Sequence, residues 1–204
     1  MKKRLILFAK EPIAGQVKTR LTPALGAEGA RDLYIRLAAH AFDLALQCQN
    51  KQKLELEIAY GGTSCEILTQ LAGECFDLTP QSTGDLGQKM KSQMERAFAQ
   101  GVEQVVLMGT DIPGISQEII QEAFKKLQSH QIVLGPALDG GYYLIGLSAP
   151  LWDIFREIPW STDQVLSQTL ERIKALEGTF FLLEPLSDLD LPEDLVKFPE
   201  LFTS

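Results

Sequence analysis

The chain has 204 residues, of which 45% are hydrophobic and 23% are charged, and its formal net charge is -8 at pH 7. A chain of this length and composition is typical of one globular domain that buries its own core, here expected over residues 1–204. The acidic balance excludes a broad nucleic-acid-binding face, and no apolar run approaches the roughly 18 to 20 residues of a membrane-spanning helix.

The cysteines indicate the compartment. Cys48, Cys65 and Cys75 are odd in number and fit neither a zinc-site spacing nor a C-x-x-C redox pair. Free thiols favour a reducing compartment. The first apolar run is interrupted by Lys10 and Glu11, and no small-residue cleavage site follows it, which disfavours a signal peptide. We therefore expect a cytoplasmic protein without a membrane partner.

Short apolar runs alternate along the chain with amphipathic helical patterns, which is typical of an α/β sheet. The predicted strands cover residues 5–9, 54–60, 105–109, 132–136, 142–147 and 180–183. The predicted helices cover residues 27–48, 65–71, 86–99, 117–128 and 162–176. Asp139-Gly140-Gly141 supplies a tight reversal between two of these strands, so we expect a hairpin or a close antiparallel excursion within a mixed, mainly parallel sheet.

The loop after the first predicted strand carries three cations, Lys10, Lys18 and Arg20. Ligands of α/β proteins bind at the carboxyl ends of strands, where backbone amides and cations can converge on phosphate oxygens. Gly15-Gln16-Val17-Lys18-Thr19 lacks the glycines of a Walker A motif, which disfavours a P-loop NTPase. The loop predicts a phosphate-bearing ligand; the alternative is a solvated turn.

A carboxylate emerges from the buried strand predicted at 105–109. Asp111 follows Gly109 and precedes Pro113, which fixes a turn. A carboxylate in this place can hold Mg²⁺ or Mn²⁺ together with phosphate oxygens. The alternative role is a cap for the next helix, but Ser116 is itself a suitable N-cap. Asp111 is therefore a candidate metal ligand.

The predicted hairpin turn is a third candidate. Paired glycines, Gly140 and Gly141, allow the backbone to approach a ligand closely. Asp139 could accept a proton from a hydroxyl group or from a metal-bound water. An ordinary turn former is the alternative interpretation of Asp139.

Two acidic residues near the C-terminus form a fourth candidate. Asp188 and Asp190 are two residues apart, so an extended segment directs both to one face. Pro192 then opens a short helix, and acids are favourable in its first turn. Helix initiation explains Glu193 and Asp194, and it leaves Asp190 as a candidate for the site.

Two predicted helix starts complete the set. Gly84, Asp85 and Gly87 surround the start of the helix at 86–99, where Asp85 is expected to be the N-cap and contact with a ligand is the alternative. Trp160 precedes the helix predicted from residue 162. It is either a core residue or a stacking surface for an acceptor.

Taken in order, these segments resemble the nucleotide-diphospho-sugar transferase superfamily with the GT-A-type fold. The resemblance runs from Phe8-Ala9-Lys10 to Pro192-Glu193-Asp194, nearly the whole chain. Within the superfamily the chain is most similar to the transferase family associated with radical-SAM and selenodomain proteins, often described as glycosyltransferases of arsenosugar biosynthesis. The resemblance implies a three-layer α/β/α fold and a transferase that uses Mg²⁺ or Mn²⁺, a nucleotide sugar and a small-molecule acceptor.

The resemblance also implies roles for individual residues. Asp111 and Asp190 would hold the metal, Lys18 and Arg20 would act on the donor phosphates, and Asp139 would be a base beside the acceptor. The implied acceptor-side residues are Gly140, Gly141 and Trp160. The implied nucleotide-binding residues are Ala9, Lys10, Gly15, Lys18, Thr19, Arg20, Gly84, Asp85, Gly87 and Thr110.

One departure from the superfamily pattern leaves the transferred group open. Asp188-Leu189-Asp190 spells the D-x-D metal signature of glycosyltransferases, but the usual place after the central strand reads Gly109-Thr110-Asp111 and holds one carboxylate. Lys18-Thr19-Arg20-Leu21 is also similar to guanylyltransferases that act on phospholactate. The alternatives to sugar transfer are nucleotidyl transfer from a nucleoside triphosphate to a phosphorylated small molecule, and nucleotide binding without catalysis.

Overall fold

Seven strands form one sheet in the computed structural model, which describes residues 1–198. The strands are β1 (Lys3–Lys10), β2 (Glu55–Gly61), β3 (Asp77–Pro80), β4 (Gln104–Gly109), β5 (Ile132–Pro136), β6 (Tyr142–Leu147) and β7 (Phe180–Leu182). Their order across the sheet is β3-β2-β1-β4-β6-β5-β7. Only β6 runs antiparallel to its neighbours in this sheet, so the predicted mixed, mainly parallel sheet is confirmed.

Helices cover both faces of the sheet. The α-helices are α1 (Thr22–Gln52), α2 (Glu66–Ala72), α3 (Leu86–Ala99), α4 (Gln117–Lys126) and α5 (Val165–Ala175). Short 3-10 helices cover Thr19–Leu21, Gly73–Cys75, Trp152–Phe155 and Pro192–Lys197. Within residues 1–198, none of the helices combines the length and the apolar character that crossing a membrane requires.

The alternation of side chains along the strands builds two cores. In β1, Leu5 and Leu7 pack with apolar residues of α1, α2 and α4, whereas Ile6 packs on the other face with residues of α3 and α5. Successive side chains of a strand point to opposite faces, so one apolar run supplies both cores. This confirms the predicted three-layer α/β/α architecture.

Three elements differ from the sequence prediction. Helix α5 begins at Val165 and not at residue 162, because residues 162–164 form a turn in which the Thr162 hydroxyl accepts the Gln164 N–H at 3.3 Å. Strand β3 was not predicted, because Asp77-Leu78-Thr79-Pro80 is a short edge strand without a continuous apolar run. Helix α1 begins at Thr22 but has a non-helical Gly26 with φ +72°, so the predicted start at residue 27 is the start of its longer second part. The antiparallel pair predicted around Gly140 is confirmed, and that glycine has φ +90°.

A buried carboxylate lies between the sheet and α3. Glu57 of β2 accepts hydrogen bonds from Arg4 and Thr79, at 3.0 and 2.7 Å, and from Gln93 and Arg96 of α3. Each carboxylate oxygen therefore has a charged or polar donor, which is the condition for burying a charge at acceptable cost. The network fixes α3 against β2.

The C-terminal segment packs against the start of α1. Leu189 is fully buried in a small apolar cluster with Leu21, Leu33 and Leu37. The segment is fixed further by Asp194, whose carboxylate accepts the backbone N–H groups of Asp190 and Leu191, at 3.1 and 2.8 Å, and Lys197 Nζ at 2.8 Å. These contacts hold the backbone on both sides of Asp190.

The Asp194 carboxylate should make stability depend on pH. Burial opposes its ionisation, but the hydrogen bonds from Lys197, Leu191 and Asp190 outweigh burial and lower the pKa of Asp194 from its ordinary value of 3.8. Because the folded pKa lies below the unfolded one, the stabilisation is complete above about pH 4 and is lost as pH falls through the folded pKa.

We expect Asp194→Asn to lower the free energy of unfolding at pH 7 by about 1.5 to 3 kcal/mol, since charge-assisted hydrogen bonds are lost. Urea unfolding from pH 7 to pH 2 should show the two proteins converging below about pH 4. Exposed Glu193, changed to Gln, is the matched control and should stay within about 0.5 kcal/mol of the parent. A deficit of Asp194→Asn that is constant with pH would contradict the assignment.

Candidate active site

A cavity of about 850 Å³ opens at the carboxyl edge of the sheet. Its position follows from the strand register. Phe8 of β1 pairs with Gly109 of β4, so the segments that follow these two strands leave the sheet side by side. Parallel strands place their following loops at one edge, which is where α/β folds bind ligands. The sequence-predicted residues that line the cavity are Ala9, Lys10, Lys18, Thr19, Arg20, Thr110, Asp111, Asp139, Gly141, Trp160, Asp188 and Asp190.

At the centre of the cavity, cations and carboxylates from three distant segments meet. Lys18 Nζ lies 2.9 Å from Asp111 Oδ2 and 3.9 Å from Asp190 Oδ1. Arg20 Nη1 lies 2.8 Å from Asp190 Oδ2. The side chain of Lys18 is 4% exposed and that of Arg20 is 69% exposed, so Lys18 is the desolvated cation of the two. The structure thus brings together candidate residues from three segments that are far apart in the sequence.

The loop after β1 is shaped to bury Lys18. Val17 is buried, Gly15 has φ +78°, and Lys18 itself has φ +47° and ψ +41°, a left-handed conformation that is uncommon for a residue with a side chain. Ile13 accepts backbone hydrogen bonds from Gln16 and Val17, at 3.0 and 3.3 Å. Gly15 therefore serves the turn and does not line the cavity.

Asp111 and Asp190 are suitable ligands for a hard divalent cation whose other coordination positions are left for water and phosphate oxygens. Asp111 and Asp190 each direct one oxygen to the same nitrogen of Lys18, so a cation in that region would have carboxylate ligands from two segments. Residues 1–198 contain no group of three or more His, Cys, Asp or Glu side chains arranged to hold a metal ion. Mg²⁺ in particular is commonly bound by one or two carboxylates and completed by waters and substrate phosphates. The donor set therefore fits such an ion.

Tyr34 of α1 joins the ends of β1 and β4. Its oxygen accepts the backbone N–H of Lys10 at 2.6 Å and lies 3.3 Å from Thr110 Oγ1. Because the Thr110 hydroxyl also donates to the Phe8 carbonyl, at 3.4 Å, its oxygen is left to accept from Tyr34. Burial raises the pKa of Tyr34, so its phenol stays protonated. Sequence reasoning missed Tyr34, which reads as one apolar position of an amphipathic helix.

Two further cations line the cavity without an ion-pair partner among residues 1–198. They are Lys10 at the end of β1 and Lys89 in the first turn of α3. Both also line a second, adjoining cavity of about 400 Å³, with Gln81 between them. Unpaired cations beside a cavity are available to an anionic ligand. Lys89 and Gln81 were not predicted; the only signal for Lys89 is its place one turn after Asp85.

The glycine-rich start of α3 has a structural role. Asp85 accepts the Gln88 N–H at 2.8 Å and donates its own N–H to the Gln88 side chain, which forms a capping box. Gly84 has φ +112° and Gly87 packs against the Trp160 ring. None of these three predicted residues lines the cavity, whereas Leu86 and Lys89 do. Nucleotide contact by Gly84, Asp85 and Gly87 stays a prediction.

The far side of the cavity combines carboxylates with an aromatic wall. Asp139 accepts the Gly141 N–H at 2.8 Å, which closes the hairpin turn. Burial, followed by the nearby charge of Asp139, raises the pKa of Asp188. Trp160 forms an edge-to-face pair with Tyr142, with ring centroids 6.4 Å apart. This side is acidic and aromatic.

Gly140 supports this wall from behind. A Cβ there would lie 2.2 Å from the carbonyl oxygen of Asp163, and the Gly140 carbonyl accepts the Leu166 N–H at 2.9 Å. The hairpin thus packs directly against the start of α5. Gly140 does not line the cavity, so its predicted acceptor-side role stays a prediction, while Gly141 does line it.

Comparison with protein families gives one match. The family described as "Uncharacterized protein conserved in bacteria (DUF2064)" matches residues 43–162, more than half of the chain. The chain belongs to the DUF2064 family. The matched region of this DUF2064 protein includes Asp111, the hairpin turn and Trp160. No curated protein matches the chain.

Solved structures share the fold of this DUF2064 chain. A crystal structure from Desulfovibrio desulfuricans G20, named a "putative nucleotide-diphospho-sugar transferase", has 34% identity and a TM-score of 0.83, with 94% of this chain and 84% of that chain covered. This agrees with the predicted superfamily. The radical-SAM-associated subfamily stays a prediction.

The names of two more distantly related structures mention a bound ligand. CMP:2-keto-3-deoxy-manno-octonic acid synthetase complexed with CTP has 12% identity and a TM-score of 0.62, covering 99% of this chain and 98% of that chain. The manganese complex of Rv0371c from Mycobacterium tuberculosis H37Rv has 15% identity and a TM-score of 0.57, covering 98% and 99%. At these identities the likeness shows the fold alone.

The contact between Gly87 and Trp160 can be tested by adding one methyl group. A Cβ on Gly87 would lie 2.3 Å from a Trp160 ring carbon, so Gly87→Ala should displace the ring and destabilise the protein by about 1 to 3 kcal/mol, although Ala favours a helix. Fluorescence in a Trp152→Phe background, where Trp160 is the only indole, should show a shifted emission maximum.

Gly114→Ala is the matched control, since its Cβ would make only an ordinary contact of 3.5 Å with Leu186. It should leave both the emission and the unfolding midpoint near those of the parent. Unchanged Trp160 emission in Gly87→Ala would mean that this packing does not form.

Proposed function

We propose that this DUF2064 chain is a single-domain, metal-dependent transferase that uses a nucleotide donor, and that it moves a sugar from a nucleotide-diphospho-sugar to a small-molecule acceptor. The observation that carries the proposal is the meeting of Lys18, Asp111 and Asp190 in one cavity beside the unpaired cations Lys10 and Lys89. Cationic side chains and a carboxylate-held metal ion both stabilise the negative charge of a diphosphate. The name of the Desulfovibrio desulfuricans structure supports the same reaction class.

The donor side is the half of the cavity formed by the loop after β1 and the start of α3. Lys18, Arg20 and Lys89 come from these two segments, and Lys10 is the last residue of β1, where the loop begins. Asp111 and Asp190 would hold Mg²⁺ or Mn²⁺, which when bound neutralises developing negative charge on the departing nucleoside diphosphate. Lys18 and Arg20 would neutralise the remaining phosphate charge from the opposite side.

The acceptor side carries the opposite charge. Asp139, Asp163 and Asp188 line it, and no lysine or arginine of residues 1–198 lines the cavity from the hairpin, the Trp160 loop or the C-terminal segment. The nearest cation along the C-terminal segment, Lys197, is paired with Asp194. A phosphorylated acceptor would meet carboxylates rather than lysine or arginine side chains of these segments. This favours an acceptor without a phosphate group, and so favours sugar transfer.

Asp139 is the proposed base for the acceptor hydroxyl. Its Oδ1 accepts the Gly141 N–H, which fixes the carboxylate in the turn, and it lines the cavity on the acceptor side. A positioned carboxylate can take a proton from a hydroxyl group as that group attacks. The Trp160 ring, which packs edge-to-face on Tyr142 beside the hairpin, would offer the acceptor an aromatic surface.

Nucleotidyl transfer is the second candidate. The distant neighbour with CTP shares the fold over nearly all of both chains, and a CTP-binding fold accommodates a triphosphate as well as a diphosphate. The same donor-side cations would then stabilise departing pyrophosphate. The acidic acceptor side is the observation that places this candidate second.

The two reactions release different products. We expect the protein with Mn²⁺ and a panel of nucleotide sugars and nucleoside triphosphates, supplied with unphosphorylated polyols and sugars, to release a nucleoside diphosphate from a nucleotide sugar. Asp111→Asn should lower that rate by about 100-fold or more, because an interaction with developing charge is lost. Asp77→Asn, an exposed aspartate on the distant edge strand β3, is the control and should retain the rate.

Release of pyrophosphate from a nucleoside triphosphate would show that the reaction is nucleotidyl transfer and not sugar transfer. Full activity of Asp111→Asn would remove Asp111 from the metal site. If no nucleotide of the panel raises the unfolding temperature, with or without Mn²⁺, the proposed nucleotide donor is wrong.

A further inference from the structure

Lys18 stands in the region where a divalent cation would bind. Its ammonium group is within hydrogen-bond distance of Asp111, at 2.9 Å, and its second carboxylate neighbour is Asp190, at 3.9 Å. The side chain is 4% exposed, whereas those of the two aspartates are 43% and 33% exposed. The ammonium group is thus much less exposed than the two carboxylates that it contacts.

An ammonium group and a divalent ion between the same two carboxylates would repel each other. Weak solvent screening around a buried lysine makes this repulsion stronger than it is at the surface. Arg20 differs, because its side chain is 69% exposed and it contacts the other oxygen of Asp190, Oδ2, at 2.8 Å. Lys18 is therefore the group with which a metal ion must compete.

The backbone of Lys18 is fixed, whereas its side chain is of a flexible type. Its backbone position is fixed by the turn, where its carbonyl accepts the Leu21 N–H at 2.9 Å and buried Val17 precedes it. Its four-carbon side chain is intrinsically flexible, and its ammonium is a compact donor that suits phosphate oxygens. To bind a phosphate oxygen, the ammonium group would give up its contact with Asp111 at 2.9 Å and its longer contact with Asp190 at 3.9 Å.

We propose that Lys18 is a displaceable counterion that keeps divalent metal out of the Asp111–Asp190 pair until nucleotide phosphates give its ammonium another partner. The inference rests on the proposed nucleotide-dependent function, and it assigns to Lys18 a positioning role beyond contact with phosphate. Metal and nucleotide then bind with positive coupling, and the coupling is reciprocal because it is a property of the two equilibria together. The free protein holds metal weakly.

The test measures Mn²⁺ affinity without any nucleotide. Lys18→Met keeps the length of the side chain and removes the charge, so it should bind Mn²⁺ at least about tenfold more tightly than the parent, within the usual range of coupling between sites. Free Mn²⁺ is followed by electron paramagnetic resonance during the titration. Lys10→Met is the matched control: it removes one charge from the same cavity, but Lys10 has no carboxylate partner in residues 1–198, and its affinity should match the parent.

The double variant Lys18→Met with Asp111→Asn locates the ion. It should lose the gain in affinity, because one of the two carboxylates is gone. Lys18→Gln is a second uncharged variant for the case that Lys18→Met does not fold, as judged by its thermal unfolding.

Each other outcome overturns the proposal. Equal or weaker Mn²⁺ binding by Lys18→Met would mean that Lys18 does not compete with metal. An equal gain in Mn²⁺ affinity in Lys10→Met would mean that the effect comes from net charge alone. A gain in Mn²⁺ affinity that persists in the double variant with Asp111→Asn would mean that the ion binds elsewhere. Because no nucleotide is present, these results report on Lys18 even if the protein proves to use no nucleotide, so the two failures are distinguishable.

Discussion

The ion pair between Lys18 and Asp111 joins the two loops that leave the central strands of the sheet. It forms because β1 and β4 are parallel neighbours whose register sets Phe8 opposite Gly109, so the following residues emerge together. The third participant, Asp190, comes from the other end of the chain and is held there by the burial of Leu189. The site is thus a consequence of the sheet register and of one apolar anchor. Substitutions that loosen either would separate its charges.

The charges of the cavity are sorted by segment. The loop after β1 and the start of α3 supply the cations, and the hairpin and the C-terminal segment supply most of the carboxylates. In a protein with a net charge of -8, four cations around one cavity define a local field that attracts an anion to one half only. A ligand that is anionic at one end and neutral at the other matches this layout. A nucleotide donor beside an unphosphorylated acceptor has that form.

Sequence patterns predicted the elements whose signals are local. Six of the seven strands, and the positions of Lys18 and Asp111 after them, follow from apolar runs and from the rule that ligands bind at strand ends. Tyr34 and Lys89 could not be predicted, because each occupies an ordinary position in an amphipathic helix and only the packing of that helix turns it toward the site. Glu57 reads as the polar half of an alternating strand; its burial depends on Arg4 and on groups of α3 that are far away in sequence.

We propose that one cavity binds a metal ion and nucleotide phosphates together, and that the Lys18 ammonium then moves from the Asp111 carboxylate to a phosphate oxygen. Anomalous scattering from crystals grown with Mn²⁺ and CDP tests it most directly. We expect a manganese peak at about 2.0 to 2.2 Å from carboxylate oxygens of Asp111 and Asp190, with the Lys18 ammonium on a phosphate oxygen. A manganese peak away from these aspartates, or Lys18 still paired with Asp111 beside a bound ion, would contradict it.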